Sequence, residues 1–334
     1  METLEDTITV FSTFPRVDQV TLPPEVSHVP IGDASSLALV HAYLSRSPGH
    51  RCFLFNGLSQ QVWLIALLKL VFPNERRTLI VADMVLSVPT SRRDWRIVSM
   101  RRKLMTAVDL FISYARDTKG IQEIYRVPES RFLHIPFKVN DWARVADMET
   151  SDEGYLLVAG QTRRDFPTFL RAIEELEIPV RIVAPPQDVL SKHGSSLRPE
   201  DWPEHVQFVQ DARAPDTFLP QVAGARLVVL PILEKNITPS GIGVCLVAMA
   251  LRKCVIVSAG PVTDGLIDRG EAIVVPAGDP VALRNAIAAA WADAELRTST
   301  AERGFAYASS LQGEARLYDD LFNAVARFRR ERPT

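Results

Sequence analysis

Short apolar runs alternate with longer stretches of helical periodicity through most of the chain. The runs are apolar without alternation, as in parallel strands buried on both faces, and lie at 8–11, 52–55, 78–82, 110–113, 132–135, 155–159, 180–184, 206–209, 227–230 and 254–258. The helical stretches lie at 35–45, 60–72, 95–106, 118–125, 166–176, 217–222, 244–251, 281–291 and 313–330. Because strands and helices alternate, the pattern predicts an α/β protein with parallel, doubly wound sheets.

An acidic segment at 140–154 divides this pattern into two halves, and we interpret it as a linker. A chain of 334 residues is also long enough for two domains. The sequence therefore predicts an N-terminal Rossmann-like domain at 1–145 and a second at 151–310. A separate helix follows at 311–334, with Leu317, Leu321, Val325 and Phe328 on one face.

One crossover unit in the second half points to a ligand. The apolar run 227–230 leads into a polar loop that ends in Ser240, Gly241 and Gly243, and a helix and another strand follow. A helix N-terminus offers unpaired N–H groups and partial positive charge, and glycines let a phosphate or sugar approach that backbone. The alternative is that the glycines only shape a tight turn.

Charged residues follow two other predicted strands, and one more lies in the loop of this crossover unit. Arg163 and Arg164 come after the strand at 155–159 and before a helix capped by Asp165, where open α/β sheets bind ligands. A guanidinium fork suits a diphosphate, although a solvated pair of loop residues is the alternative. Lys235 lies in the long loop before the glycines and offers a second cation, or is an ordinary surface residue. Asp83 ends the strand at 78–82 and is either a general base or a simple cap.

The segment from 227 to 280 resembles the donor-binding half of glycosyltransferases with the GT-B fold, in particular the retaining group that uses nucleotide sugars. The matching positions include Pro239, Ser240, Gly241, Gly243, Ala248, Met249, Ala250, Gly270, Glu271, Gly278, Asp279 and Pro280. Two departures stand out, because the family's pair of glutamates, eight residues apart, falls on Ser240 and Ala248. In the family, the second glutamate commonly holds the nucleotide ribose.

The resemblance implies two Rossmann-like domains that face a cleft, with the terminal helix crossing back to the first domain. It implies a hexosyl-type transferase that moves a sugar from a nucleotide-diphosphate sugar to a glycan, lipid-linked or small-molecule acceptor. The donor would lie against Gly160, Arg163, Arg164, Ser240, Gly241, Ile242 and Gly243. Arg164 would stabilise the departing diphosphate, with Lys235 as a second cation. Asp83 would be the base only of an inverting reaction, since a retaining enzyme of the resembled group needs no such base.

The nucleotide sugar would be a co-substrate, and we expect no further cofactor and no metal, since the chain lacks an Asp-x-Asp signature. Two other functions remain open. A nucleotide-sugar epimerase on the same fold would need acidic residues and a histidine in the cleft, of which no clear set is evident. A non-catalytic partner is favoured by Ser240 and Ala248, which replace the glutamates.

Composition restricts the partners and the compartment. A net charge of −2 gives no basic field for nucleic acid. The three cysteines lie in apolar surroundings, which suits buried thiols in a reducing cytoplasm, and the acidic N-terminal residues do not resemble a signal peptide. One helix is basic with apolar neighbours, and its cations are Arg92, Arg93, Arg96, Arg101, Arg102 and Lys103. It is either a peripheral contact with the inner face of a membrane or an ordinary solvated helix.

Overall fold

The computed structural model describes residues 7–15, 20–32, 34–46, 49–197, 202–210 and 214–331. The chain separates into two compact units. Unit 1 comprises Met1–Pro136 and Ala315–Thr334, and unit 2 comprises Phe137–Glu314. Each unit contains one six-stranded sheet whose neighbouring strands are all parallel. The predicted α/β class with doubly wound sheets is confirmed.

Unit 1 begins with strands and helices in alternation. Its strands are β1 Ile8–Ser12, β2 Val26–Pro30, β3 His50–Asn56, β4 Arg77–Ala82, β5 Leu110–Ser113 and β6 Phe132–His134, in the spatial order β2-β1-β3-β4-β5-β6. The helices between them are α1 Ser36–Leu44, α2 Gln60–Val71, α3 Arg92–Met105 and α4 Lys119–Tyr125. Every position of β4 and β5 is buried, including the polar Arg77 and Thr78 at the start of β4.

Unit 2 repeats this architecture. Its strands are β7 Leu156–Ala159, β8 Val180–Ala184, β9 Val206–Gln210, β10 Leu227–Leu230, β11 Cys254–Ser258 and β12 Ile273–Val275, in the order β12-β11-β10-β7-β8-β9. Its helices are α5 Trp142–Ala146, α6 Phe166–Ile173, α7 Gln187–Lys192, α8 Pro215–Ala223, α9 Ile242–Ala250, α10 Pro280–Ala292 and α11 Ala294–Leu311. Asp165 caps α6 as predicted, since its Oδ1 accepts the Thr168 N–H at 3.1 Å.

The last helix, α12 Glu314–Arg330, belongs to unit 1 from its second residue onward. The Tyr318 ring lies 5.3 Å from that of Phe14, and the Phe322 ring lies 4.9 Å from the imidazole of His28. The buried face also contains Leu317, which the amphipathic pattern predicts. Residues distant in sequence therefore complete the core of unit 1.

Several elements differ from those predicted. The acidic segment interpreted as a linker contains α5 and lies in unit 2. The 18-residue helix α11 was not predicted, because its buried face consists of small residues such as Ala301, Gly304 and Ala308, which give a weak apolar pattern. Small residues are required there, since a Cβ at Gly304 would lie 2.8 Å from the carbonyl oxygen of Glu271. The short elements β2, α7 and β12 were also not predicted.

The cysteines and the polarity of the helices bear on the redox state of the protein and on membrane insertion. The three cysteines, Cys52, Cys245 and Cys254, are buried and unpaired, as predicted. Across the residues that the structure describes, each helix is too short or too polar to cross a bilayer.

Candidate functional site

The sheet of unit 2 changes its winding direction between β7 and β10. From β7 the chain continues to β8 and β9 on one side, whereas β10, β11 and β12 extend the sheet on the other. Ligands of open α/β sheets bind outside the carboxyl ends of the strands at such a switch point. The loops after β7 and β10 contain Gly160, Arg164 and Gly241, and the structure brings these three residues into contact.

Arg164 is held by backbone groups around the end of β7. Its Nε donates to the carbonyl of Ala159 at 2.8 Å, and its Nη1 donates to that of Thr162 at 3.0 Å. Its own N–H donates to Ser195 Oγ at 2.8 Å, and it forms an isolated antiparallel bridge with Ile232, just after β10. The guanidinium is therefore held by the loop after β7, and the backbone of Arg164 joins this loop to the one after β10.

The charge of Arg164 is buried without an anion. The residue is only 2% exposed, and no carboxylate of the described residues forms a salt bridge with it. Burial lowers its pKa to about 10, so the group stays protonated at neutral pH. A buried charge that lacks its partner typically costs roughly 3–5 kcal/mol. An anionic ligand would supply the missing partner.

Two glycines make room for this guanidinium. A Cβ at Gly160 would lie 2.3 Å from Arg164 Nη2, and one at Gly241 would lie 3.1 Å from Nη1. Both glycines also have positive φ angles, of 107° and 93°, which side chains rarely adopt. These glycines are therefore required by Arg164 itself, in addition to any approach of a ligand.

Helix α9 begins directly beside this charge, with Gly241 as its N-cap residue. The N–H groups of Gly243 and Val244 have no acceptor among the described residues. A Cβ at Gly243 would lie 2.9 Å from the side-chain nitrogen of Asn140. The helix start and the guanidinium thus present positive charge to the same region.

Ser240, a predicted donor-binding residue, is engaged within its own loop. Its Oγ donates to Asn236 Oδ1 at 3.2 Å and lies 3.1 Å from Thr238 Oγ1. Ser240 and Thr238 are both buried. Ala248, at the second glutamate position of the resembled family, is fully buried in the core of unit 2. Neither position carries a carboxylate, and the hydroxyl of Ser240 orders the approach to α9.

The other predicted site residues of unit 2 are less closely grouped. The guanidinium of Arg163 lies against Gly194, where a built Cβ would be 2.6 Å from Nη1, so this side chain packs beside the end of α7. Lys235 is exposed in the loop that precedes α9. Ile242 packs partly against the core at the start of α9. Among the predicted residues, Gly160, Arg164 and Gly241 form the compact group.

Asp83 lies in unit 1, directly after β4. Its φ is 52°, and its carboxylate has no hydrogen bond or ion pair with a described residue. Burial raises the pKa of this carboxyl above its usual range. The carboxylate therefore caps neither a helix nor a loop of the described residues, and an unpaired acid at the carboxyl end of a strand is a candidate functional group.

A cavity of about 350 Å³ lies in unit 2 beside Gly160 and the first turns of α9. Its volume is within the range of ligand pockets. The apolar part of its lining consists of Val183, Ala184, Pro185, Pro215, Phe218, Leu219, Val244 and Val247. The polar side chains in the lining are those of Asn140, Asp141 and Gln161.

Gln161 and Asn140 are site residues that sequence reasoning missed. Gln161 directly follows Gly160, and its Oε1 is buried without a hydrogen-bond partner in the described part of the chain. Its position after a strand end is the same signal that identified Arg164, so it could have been found. Asn140 lies in the segment interpreted as a linker, and only tertiary structure brings it to α9.

The fold was compared with those of solved proteins. A glycosyltransferase from Rickettsia africae superposes with a TM-score of 0.63 at 10% identity, over 91% of this chain and 85% of that one. HepE from Anabaena, solved with UDP and glucose, superposes with a TM-score of 0.64 at 12% identity, over 96% of this chain and 100% of that one. Sucrose-phosphate synthase from Thermosynechococcus elongatus superposes with a TM-score of 0.63 at 15% identity, over 93% of this chain and 82% of that one.

These likenesses extend over nearly the whole chain and identify its fold as that of the GT-B glycosyltransferases. The fold implied by the sequence resemblance is thereby confirmed. No protein-family model and no curated protein sequence matches the chain. At 10–15% identity the likeness concerns the fold, so the function has to be argued from the site.

The packing of Gly160 against Arg164 predicts that Gly160→Ala is destabilising. The added methyl would displace the guanidinium and hold alanine at an unfavourable φ, so we expect a loss of about 2–5 kcal/mol in the free energy of unfolding. Urea denaturation measures this loss. Gly32→Ala is the control, since a Cβ there meets nothing within 4 Å. Equal losses of stability in the two variants would contradict the close packing of Gly160 against the Arg164 guanidinium.

The environment of Asp83 predicts a pH-dependent effect of Asp83→Asn. Because the folded pKa is raised, the wild type loses stability as the pH rises from the unfolded pKa, about 3.9, through the folded value. The variant should therefore be more stable than the wild type at pH 7, and the difference should disappear near pH 3. Urea denaturation across this pH range measures the difference in the free energy of unfolding, and Asp268→Asn, at an exposed aspartate, is the control. A stability difference between Asp83→Asn and the wild type that stays constant with pH would exclude a raised pKa of Asp83 as its cause.

Proposed function

We propose that this protein is a glycosyltransferase that moves a hexosyl-type sugar from a nucleotide-diphosphate sugar to a glycan, lipid-linked or small-molecule acceptor. The observation that carries the proposal is the buried, unpaired guanidinium of Arg164 beside the start of α9. It lies at the switch point of a nucleotide-binding type of sheet, and the fold is that of nucleotide-sugar transferases. HepE, one of the proteins with this fold, was solved with UDP-glucose.

The diphosphate of the donor is the anion that we assign to Arg164. Its fork can hold two phosphate oxygens, and the free N–H groups of Gly243 and Val244 add donors from the helix. When the sugar leaves, negative charge develops on the diphosphate, and these preorganised donors stabilise it. Lys235, exposed in the preceding loop, is the second cation that we assign to this charge.

The nucleoside of the donor is assigned to the cavity beside Gly160. The cavity adjoins both Gly160 and Gly243, so a ligand with its phosphates at Arg164 can extend into it. Its apolar walls suit the faces of a planar base, whereas a sugar would leave many hydroxyls without partners there. The whole donor is therefore assigned to unit 2.

The acceptor is assigned to unit 1, where Asp83 is the candidate base. A general base works best when its pKa is near the operating pH, and burial moves the pKa of Asp83 in that direction. This role applies to an inverting reaction, in which the acceptor hydroxyl must lose its proton as it attacks. A retaining enzyme of this fold would need no such base.

Unit 1 also exposes a surface suited to anionic membranes. On α3, Arg92, Arg93, Arg96 and Lys103 are exposed, together with Trp95 at 46% and Met100 at 58%. Helix α2 packs beside α3 and exposes Leu67, Leu70, Val71 and Phe72 at its end. Cations mixed with exposed apolar side chains favour peripheral binding to anionic lipid. We therefore propose a cytoplasmic protein that contacts the inner face of a membrane through this surface.

Not every cation of α3 is available to lipid. Arg102 donates through Nε and Nη2 to the carbonyl of Ile124 and lies over the Trp95 ring. Arg101 lies over the ring of Trp63. These two arginines hold α3 in place, so the free charge is concentrated in the first turns of the helix.

Arg164→Ala should weaken the binding of nucleoside diphosphates by about one to two orders of magnitude, since a hydrogen bond to a charged group contributes roughly 1.5–3 kcal/mol. The affinity for the matching nucleoside should change little. Arg163→Ala is the matched comparison, because the guanidinium of Arg163 packs on Gly194 in the wild type. This variant should bind the diphosphate nearly as tightly as the wild type does. Calorimetric titration measures all of these affinities.

Turnover of nucleotide sugars by the same proteins tests the function itself. The wild type should release nucleoside diphosphate from at least one nucleotide sugar when an acceptor is present, and Arg164→Ala should not. Binding without any turnover would instead indicate a non-catalytic relative. Equal diphosphate affinities for the wild type and Arg164→Ala would refute the assignment of the site.

Reversing Arg92, Arg93 and Arg96 to glutamate should abolish co-sedimentation with vesicles that contain phosphatidylserine. Each cation near such a surface contributes about 1 kcal/mol. Glutamates at positions 92 and 93, in the first turn of α3, favour the helix dipole, and residue 96 is exposed, so folding should persist. Reversal of Lys192, Arg252 and Arg269 in unit 2 is the control for charge alone. Wild-type protein that stays in the supernatant would rule out the membrane surface.

A further inference from the structure

Gln161 presents an unsatisfied polar group at the cavity of unit 2. The residue lines the cavity, and its Oε1 is buried with no donor among the described residues. The amide nitrogen also forms no hydrogen bond with a described residue, so both polar atoms of the side chain are unpaired. A buried acceptor without a partner typically costs about 1–3 kcal/mol. Because Oε1 is closed off from the cavity that the residue lines, the amide would turn toward the cavity to complete its hydrogen bonds with a ligand.

The backbone around Gln161 is fixed. Its carbonyl oxygen accepts from Ser195 Oγ at 2.6 Å, and the same oxygen of Ser195 accepts the N–H of Arg164 at 2.8 Å. Ser195 therefore ties the residue that lines the cavity to the residue assigned to the diphosphate. These two hydrogen bonds of Ser195 thus fix the spacing between the backbones of Gln161 and Arg164.

The other amide of the lining is already engaged. Asn140 Oδ1 accepts from Lys138 Nζ at 2.6 Å, which leaves its nitrogen as a donor beside Gly243. The remaining cavity wall is mostly apolar, with Phe218 and Val183 among its members. Within the described lining, Gln161 is thus the side-chain amide that is free to pair through both its oxygen and its nitrogen.

We propose that the side-chain amide of Gln161 pairs with the hydrogen-bonding edge of the nucleobase and determines which base the donor carries. This inference rests on the proposed donor site. A carboxamide offers one acceptor and two donors in a plane, and bases present complementary pairs of groups along their edges. The apolar walls would enclose the faces of the base while its edge meets the amide.

The first test measures calorimetric affinities for UDP, CDP, ADP, GDP and inorganic pyrophosphate. Gln161→Leu keeps the approximate size of the side chain and removes its polar end. It should weaken the nucleoside diphosphate that the wild type binds best by about 5- to 150-fold, which is the range for a bidentate amide–base contact. Pyrophosphate has no base, so its affinity should not change. Gln207→Leu, at an exposed glutamine on β9, is the matched control and should leave every affinity unchanged.

Gln161→Glu gives a second and independent readout. A carboxylate only accepts hydrogen bonds, and guanine presents two neighbouring N–H donors, whereas uracil, cytosine and adenine pair a donor with an acceptor. The added charge repels all the diphosphates alike. The ratio of GDP affinity to the affinities for UDP, CDP and ADP should therefore rise in this variant.

The outcomes separate this inference from the proposed function. A wild type that binds none of the four nucleoside diphosphates would refute both. A wild type that binds them, with Gln161→Leu unchanged in every affinity, would refute the role of Gln161 alone. An equal loss for pyrophosphate and the nucleoside diphosphates would also refute it, since the amide would then support the phosphate site. An equal loss for ribose 5-phosphate and the nucleoside monophosphate would overturn the base contact in favour of a ribose contact.

Discussion

The burial of one guanidinium charge is the constraint on which the site of unit 2 depends. Arg164 is withdrawn from water and held by the carbonyls of Ala159 and Thr162, with no carboxylate to balance it. Backbone carbonyls satisfy its hydrogen bonds but do not cancel its charge. The buried charge lies at the switch point between β7 and β10, and binding of an anionic ligand would offset its unfavourable free energy.

The glycines around the site follow from the same constraint. Gly160 and Gly241 leave the space that the guanidinium occupies, and the antiparallel bridge between Arg164 and Ile232 joins the loops after β7 and β10. A glycine-bearing loop before a helix is usually interpreted as room for a phosphate. Here the glycines make room for a buried guanidinium, and the helix start remains open beside it.

The site lacks the carboxylates that the resembled family has at two positions. Ser240 uses its hydroxyl to order the loop with Asn236, and Ala248 faces the core of unit 2, where a carboxylate would be buried without a partner. Around the start of α9 the positive charge of Arg164 and of the helix dipole is therefore not offset by an acid at these positions. In the proposed donor complex this positive charge would favour the diphosphate, and contacts to the ribose would have to come from other groups.

The sequence by itself determined the fold class, because runs buried on both faces of parallel sheets leave an unmistakable apolar pattern and cap residues such as Asp165 act locally. It also indicated Arg164, since a strand end is a local feature. Only tertiary structure decided that Arg164 is buried while its neighbour Arg163 packs on Gly194, that α11 uses small residues to approach α9, and that Asn140 reaches the site. These facts depend on contacts between residues distant along the chain, and neither hydrophobic periodicity nor local propensity contains that information.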